Sequence, residues 1–134
     1  MRYLLDTSVY SQPLRRKPAD AALLRWKAAG DSACAISAVT AAEVEYGLVL
    51  ENNALRREKF RFLLEGRLVV LQTDTAVWME FARRKARQKK SGREIADLDL
   101  LIAATALVHR LTVATLNARD FRSVEGLSWE DWSR

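Results

Sequence analysis

The chain has 134 residues, which is enough to bury one hydrophobic core and too few for two domains of ordinary size. Hydrophobic residues make up 49% of the chain and charged residues 29%, a balance typical of a globular protein. Lys and Arg number 22 against 17 Asp and Glu, and the net charge of +5 is compatible with nucleic-acid binding without requiring it. We expect one domain over residues 1–134.

Cysteine content and hydropathy indicate the compartment. The only cysteine, Cys34, lies in an apolar run typical of a buried thiol, so an internal disulfide is excluded. No apolar stretch reaches the roughly 18 residues that a membrane span needs. The opening residues, MRYLLD, reach an aspartate before the apolar region of a signal peptide could form. These features predict a cytoplasmic protein without membrane contact.

Short apolar runs alternate along the chain with stretches of helical periodicity. The apolar runs predict strands at residues 2–5, 33–36, 68–71 and 111–115. The periodic stretches predict helices at residues 19–30, 38–52, 54–66, 75–90 and 95–106, with a short segment at 117–121 before the tail. Gly30 and Gly66 are predicted to end their helices, and Ser37 to cap the helix at 38–52.

Alternating strands and helices predict an α/β fold with a parallel sheet of four to five strands and helices on both faces. In such sheets ligands bind beyond the carboxyl ends of the strands. The residues that follow each strand are therefore the candidates for a functional site.

An aspartate follows the first strand directly. Asp6 precedes Thr7 and Ser8, and its side chain could accept hydrogen bonds from the backbone at the start of a short helix. Taken alone, this capping role is the favoured interpretation of Asp6. A place in a shared acidic site is the alternative.

Glu43 falls on the predicted packing face of the helix at 38–52. At about 100° per residue, that face is an apolar stripe made of Val39, Ala42, Tyr46 and Leu50. A carboxylate on a packing face must be paired, protonated or bound to a cation, because bare burial is costly. An arginine partner and a metal or catalytic role both remain open for Glu43.

Two aspartates open the apolar segment IADLDLLIAATA. Asp97 is predicted as the N-cap of its helix and Asp99 as a first-turn residue, where the helix dipole favours negative charge. Two residues on a helix differ by about 200°, so both cannot face the same point. Asp99 shares its face with small residues that would let the helix lie close to the sheet, so Asp99 is the candidate and Asp97 a cap or supporting group.

Thr115 ends the last predicted strand, and Asn117 and Asp120 follow it. Asn and Asp are common turn residues after a strand, which is the ordinary explanation for the last two. Phe121 follows Asp120, and its burial would hold that aspartate in place.

Several carboxylates gathered in one pocket would raise one another's pKa values. A divalent ion removes that repulsion, and ligands that are all oxygen favour Mg²⁺ or Mn²⁺ over zinc. Such an ion keeps open positions for water and phosphate oxygens, which suits hydrolysis of a phosphodiester bond. A phosphatase acting on a small phosphate ester is a further, less favoured possibility.

Basic residues could form a rim that holds a polyanion. The first candidates for this rim are Arg83, Arg84, Lys85, Arg87, Lys89, Lys90 and Arg93. A second group, for which a solvated helix face is favoured, comprises Arg56, Arg57, Lys59 and Arg61. His109 is the only histidine, which excludes a nuclease with a histidine pair as acid and base.

Four blocks of sequence occur in order over essentially the full chain. They are LLDTS with Asp6, SAVTAAEVEYG with Glu43, DLLIAATAL with Asp99, and TVATLNARDF with Asn117 and Asp120. The pattern resembles the PIN-domain family, and within it the VapC toxins of bacterial toxin–antitoxin pairs. The resemblance implies a three-layer α/β/α sandwich and an endoribonuclease that cleaves single-stranded RNA with Mg²⁺ or Mn²⁺. It also implies a homodimer and a small antitoxin that inserts a segment near the active site.

By position, the resemblance implies an acidic, metal-binding triad of Asp6, Glu43 and Asp99. It also implies that Thr7 or Ser8, together with Thr115, orients those carboxylates or a bound water. Some members place a fourth acid directly after the last strand, where this chain has Asn117. Asp120 could supply the fourth charge, or Asn117 could act as a neutral ligand. A catalytically silent PIN-like module that binds RNA or a partner is the competing hypothesis.

Overall fold

The computed structural model describes all 134 residues of the chain. The strands are Tyr3–Leu5 (β1), Cys34–Ser37 (β2), Val69–Leu71 (β3), Thr112–Thr115 (β4) and Trp129–Asp131 (β5). The helices are Thr7–Tyr10 (α1), Asp20–Ala29 (α2), Ala38–Glu51 (α3), Ala54–Leu63 (α4), Thr75–Ser91 (α5), Asp97–His109 (α6) and Ala118–Arg122 (α7). Short 3₁₀ turns lie at Gln12–Leu14 and Asp31–Ala33.

The five strands form one sheet in the order β3-β2-β1-β4-β5, and every neighbouring pair is parallel. The central strand is β1, and its three residues are all buried. The predicted α/β fold with a parallel sheet of four to five strands is confirmed. All five strands end at the same edge of the sheet, which is where the acidic residues collect.

Two hydrophobic cores lie on the two faces of the sheet because successive strand side chains point to opposite sides. Leu5 of β1 packs in a core with Trp26 of α2 and Leu48 of α3. Leu4 packs in the other core with Ile102 of α6 and Phe121 of α7. The sheet is therefore the middle layer of three, as the resemblance implied.

The face that α3 turns to the core differs from the prediction. Of the predicted stripe only Val39 is buried, whereas Tyr46 and Leu50 are 68% and 69% exposed. The core contacts come instead from Val44 and Leu48. Because α3 carries apolar residues on opposite sides, periodicity alone could not show which side faces inward.

The start of α6 also differs from the prediction. Ala96 is the N-cap, with no side-chain hydrogen bond, and Asp97 is the first helical residue. The Asp97 carboxylate pairs with Lys85 of α5 instead of capping the helix. The prediction that Asp97 is the cap was wrong because it could not include a lysine partner from another helix.

Other helix ends agree with the sequence or differ by a few residues. Ser37 caps α3 and accepts a hydrogen bond from the Thr40 amide at 3.1 Å, as predicted. Gly30 ends α2 with a φ of 86°. α4 ends at Leu63, and Gly66 lies in the turn that follows, with a φ of 71°. None of the helices is both long enough and apolar enough to cross a membrane.

Candidate active site

The carboxyl ends of β1, β2 and β4 surround a polar pocket. Its volume is about 270 Å³, and none of its nine lining residues is hydrophobic. The lining residues are Asp6, Thr7, Ser8, Ser11, Arg15, Glu43, Asp99, Asn117 and Asp120. We call this cavity the acidic pocket. It brings together five of the six predicted site residues, and the sixth, Thr115, hydrogen bonds to Asp6.

Asp6 is held by hydrogen bonds from both sides. One carboxylate oxygen accepts from the Val9 amide at 3.1 Å and from the Ser8 hydroxyl at 2.6 Å, so Asp6 is also the predicted helix cap. The other oxygen accepts from the Thr115 hydroxyl at 2.6 Å. Burial raises the pKa of Asp6 above its ordinary value, and these hydrogen bonds lower it in part. The orienting contacts that the resemblance implied for Ser8 and Thr115 are present.

Glu43 reaches the pocket from the first half of α3. One carboxylate oxygen accepts a hydrogen bond from the Thr7 hydroxyl at 2.6 Å. The Thr7 hydroxyl also lies 3.1 Å from the hydroxyl of Thr40, one turn before Glu43. No arginine or lysine pairs with Glu43, so the ion pair left open as its alternative role is excluded.

Asp99 is the carboxylate most perturbed by its surroundings. It is the third residue of α6, is half-buried, and accepts no hydrogen bond from another residue. Burial, followed by the negative charges of Asp120, Glu43 and Asp6, raises its pKa from 3.8 to about 6. An acid in that position needs a cation or a proton to offset the repulsion.

The loop after β4 contributes the remaining polar groups. Asn117 precedes α7, and Asp120 lies within that helix, next to a Phe121 side chain that is fully buried. The predicted anchoring by Phe121 is therefore confirmed. The residue after β5 bonds to the end of β4, where this loop begins, because the Trp132 amide donates to the Thr115 carbonyl at 2.8 Å.

Arg15 is a lining residue that the sequence analysis did not identify. It is the only basic residue of the acidic pocket, and no carboxylate pairs with it. Helical periodicity could not have revealed it, because α1 ends at Tyr10 and Arg15 follows a 3₁₀ turn in extended backbone. Its guanidinium group is free to bind a phosphate oxygen.

The predicted basic rim does not line the acidic pocket. Several of its members pair with nearby carboxylates, including Arg83 and Arg84 with Glu80 and Arg57 with Glu45. Others lie around a different cavity, beside the end of α5. These residues therefore lie outside the acidic pocket, and their role as a rim that holds a polyanion stays a prediction.

The donor set of the acidic pocket fits a hard divalent ion in its chemistry. The groups are carboxylate, amide and hydroxyl oxygens, which Mg²⁺ and Mn²⁺ prefer. No group of three His, Cys, Asp or Glu side chains is close enough to surround one ion. Mg²⁺ commonly binds through one or two carboxylates and keeps several waters, so this arrangement still suits it. The three-carboxylate ligand set of Asp6, Glu43 and Asp99 stays a prediction.

Comparisons with known proteins identify the family. A family model described as the PIN domain matches residues 3–127. The toxin FitB of Neisseria gonorrhoeae is 32% identical over 135 residues, covering 96% of this chain and 97% of that protein. The tRNA(fMet)-specific endonuclease VapC of Shigella flexneri is 31% identical, with 99% of each chain covered.

Solved structures extend the likeness to the fold. The crystal structure of FitAcB from Neisseria gonorrhoeae matches with a TM-score of 0.88 and 30% identity, covering 97% of each chain. VapBC-5 from Mycobacterium tuberculosis, a member of the VapBC family of toxin–antitoxin systems, matches with a TM-score of 0.71 and 27% identity. That match covers 97% of this chain and 96% of the other. With every residue of the acidic pocket inside the matched region, the chain belongs to the PIN domain family.

Proposed function

We propose that this chain is an endoribonuclease that depends on Mg²⁺ or Mn²⁺ and is the toxin of a VapBC-type toxin–antitoxin pair. The observation that carries the proposal is the unpartnered Asp99 carboxylate among three other acids in a pocket without apolar side chains. The names of the related toxin and tRNA endonuclease support an RNA substrate. Residues 1–134 would act as one domain in the cytoplasm, where such a substrate is found.

When bound, a divalent ion supplies a Lewis acid that activates water and neutralises phosphate charge. The chain's own residues prepare the pocket for it. Asp6 and Asp99 would hold the ion, and the hydrogen bonds from Ser8 and Thr115 orient the Asp6 carboxylate and favour its ionised form against the effect of burial. Asp99 has no such donors, so its charge depends on the cation and on the N-terminus of α6.

The remaining groups act on the substrate and the attacking water. Glu43 would orient that water, because Thr7 holds one of its carboxylate oxygens and no protein group bonds to the other. Arg15 would bind an oxygen of the cleaved phosphate and offset the charge that develops there. Asp120 would add negative charge for the ion, and Asn117 would serve as a neutral oxygen donor.

Two protein partners belong to the proposal. A cognate antitoxin is supported by the similarity to a member of the VapBC toxin–antitoxin systems. A second copy of the chain would cover the exposed apolar face formed by Tyr46 of α3, Trp78 of α5 and Leu98 of α6. These three residues line a cavity of about 800 Å³ that also reaches Glu43, so a dimer formed there would border the acidic pocket.

The test is cleavage of a mixed pool of single-stranded RNA by the purified chain, freed from any copurified antitoxin. We expect cleavage with Mg²⁺ or Mn²⁺ and none with EDTA. Asp99→Asn should lower the rate about 100-fold or more, because it removes a ligand of the activating ion. Asp97→Asn is the matched control, since Asp97 lies two residues away and pairs with Lys85 outside the pocket.

Other results would contradict the proposal in distinct ways. Cleavage that persists in EDTA or in Asp99→Asn would refute the metal mechanism. RNA binding without cleavage under any condition would favour the catalytically silent module. Phosphate release from p-nitrophenyl phosphate, with RNA left intact, would identify a phosphatase. Size-exclusion chromatography with light scattering tests the dimer, which Trp78→Glu should dissociate and Met79→Glu should affect less.

A further inference from the structure

A second polar cavity lies apart from the acidic pocket, at the end of α5. It has a volume of about 500 Å³, and only one of its nine lining residues is hydrophobic. The lining includes Arg84 and Arg87 of α5, Arg93 of the following loop, and Arg122 at the end of α7. We call it the arginine cavity. It shares no lining residue with the acidic pocket.

Most of the positive charge in the arginine cavity is not neutralised. Arg87, Arg93 and Arg122 form no ion pair, whereas Arg84 pairs with Glu80 and donates to the Glu125 carbonyl. The only acid in the lining is Glu125, which pairs with none of the arginines. Three like charges around one concave space repel one another, and an anion in that space would relieve the repulsion.

Two buried polar atoms in the same lining have no partner. Gln88 is 7% exposed, and its amide oxygen accepts a hydrogen bond from the Ile95 amide at 3.2 Å. Its amide nitrogen Nε2 is buried and donates to nothing. The Ser123 hydroxyl is likewise buried without a partner. An unmade hydrogen bond of a buried group costs about 1 to 3 kcal/mol. Neither atom is exposed to the cavity, so an oxyanion there would gain these donors once the two side chains rotate toward it.

We propose that the arginine cavity binds a phosphate group, and that this is a backbone phosphate of the RNA strand away from the bond that is cleaved. Guanidinium groups with buried amide and hydroxyl donors are the groups that recognise phosphate. The choice of RNA rests on the proposed function and on α7, which carries Asp120 at the acidic pocket and Arg122 at the arginine cavity. A strand leaving the acidic pocket along α7 reaches this cavity.

The experiment measures binding rather than cleavage, so it does not depend on the catalytic proposal. Fluorescence anisotropy of a labelled single-stranded RNA is recorded in EDTA over a series of KCl concentrations. The variant is Arg87→Gln with Arg93→Gln. The matched control is Lys89→Gln with Lys90→Gln, which removes the same charge from the same segment at residues that do not line the cavity. Inorganic phosphate and a nucleoside 5′-monophosphate are titrated as separate probes by calorimetry.

We expect the arginine double variant to bind RNA about tenfold more weakly and to lower the slope of log K against log[KCl] by about 1, as for one lost phosphate contact. The lysine control should change binding less than about threefold. Ser123→Ala breaks no hydrogen bond and should weaken inorganic phosphate binding several-fold without lowering the Tm.

Equal losses in the arginine and lysine variants would overturn the inference, because they would show non-specific attraction. Tight monophosphate binding with RNA affinity unchanged by the arginine substitutions would also overturn it, in favour of a free nucleotide. If RNA is cleaved but neither probe responds to the variants, the inference fails and the proposed function stands. If phosphate and RNA bind as expected but no RNA is cleaved, the site stands and the proposed function fails.

Discussion

Replacing Asp99 with asparagine should stabilise the folded protein in the absence of metal. With metal present, the same change should lower RNA cleavage about 100-fold or more. Burial and three neighbouring acids raise the pKa of Asp99 from 3.8 to about 6. Each tenfold change in a protonation constant corresponds to about 1.4 kcal/mol, so ionised Asp99 costs up to about 3 kcal/mol. Because the side chain is half-buried, water screens part of this repulsion, and we expect about 1 to 2 kcal/mol.

The pH dependence follows from the direction of the pKa change. The folded pKa of Asp99 lies above the unfolded value, so below about pH 3.8 both states are protonated and Asp99 costs nothing. As the pH rises from there to about 6, the unfolded state loses the proton first and the wild type loses stability. Above pH 6 the difference between wild type and Asp99→Asn should be constant.

The assay is thermal unfolding in EDTA, followed by circular dichroism at several pH values between 4 and 8. At pH 8 the expected gain corresponds to a Tm about 3 to 8 °C higher for Asp99→Asn. Asp97→Asn is the control and should be slightly destabilised, because it loses the Lys85 ion pair and a favourable charge at the helix N-terminus. An Asp99→Asn protein no more stable than wild type at pH 8, or a gain independent of pH, would refute the reasoning.

Three further predictions concern catalysis. Thr115→Val removes the hydroxyl that donates to Asp6. Single-turnover cleavage should fall about 10- to 100-fold, and the free energy of unfolding should fall by about 1 kcal/mol. An unchanged rate would show that this hydrogen bond does not orient Asp6. Arg15→Gln should lower cleavage about 10- to 100-fold, while Arg16→Gln, its exposed neighbour outside the pocket, should change the rate less than about twofold. At low Mg²⁺ the cleavage rate should rise with pH up to about pH 6, the pKa of Asp99. The midpoint of this rise should move to lower pH as Mg²⁺ is increased, because the ion competes with the proton for the carboxylate. A midpoint that does not depend on Mg²⁺ would show that Asp99 does not bind the ion.

The order of elements was predictable because it depends on local pattern. Short apolar runs located β1, β2 and β4, and their parallel arrangement places every strand end at one edge of the sheet. That rule is sufficient to bring Asp6, at the end of β1, together with residues after β4, more than 100 positions along the chain. The order of strands in the parallel sheet therefore brings acids that are distant in the sequence into one pocket, although no sequence pattern links them directly.

The faces of helices were less predictable, because they depend on partners that periodicity does not reveal. In α3 either of two apolar sides could face the core, and the sheet and α1 cover the one that holds Val44 and Leu48. The exposed side, with Tyr46 and Leu50, is the surface for which we propose a second copy of the chain. In α6, the Asp97 carboxylate pairs with Lys85 of α5. A contact between two helices cannot be predicted from the local sequence pattern.

The distribution of charge explains how a protein of net charge +5 can contain a pocket in which four acids repel one another. The arginines without an ion pair at the end of α5 and α7 lie in the arginine cavity, and Arg15, the only arginine of the acidic pocket, pairs with none of its acids. The acids are therefore not neutralised, and the pocket still needs a cation. An arginine paired with each of the four carboxylates would neutralise them and leave no negative charge for an ion to offset. Under the proposed function, an RNA strand would use both regions, one to hold an ion at the bond to be cleaved and one to hold phosphate directly. The separation of the two cavities is therefore the arrangement expected of a nuclease that needs a metal ion, and removing charge from either cavity should affect a different step.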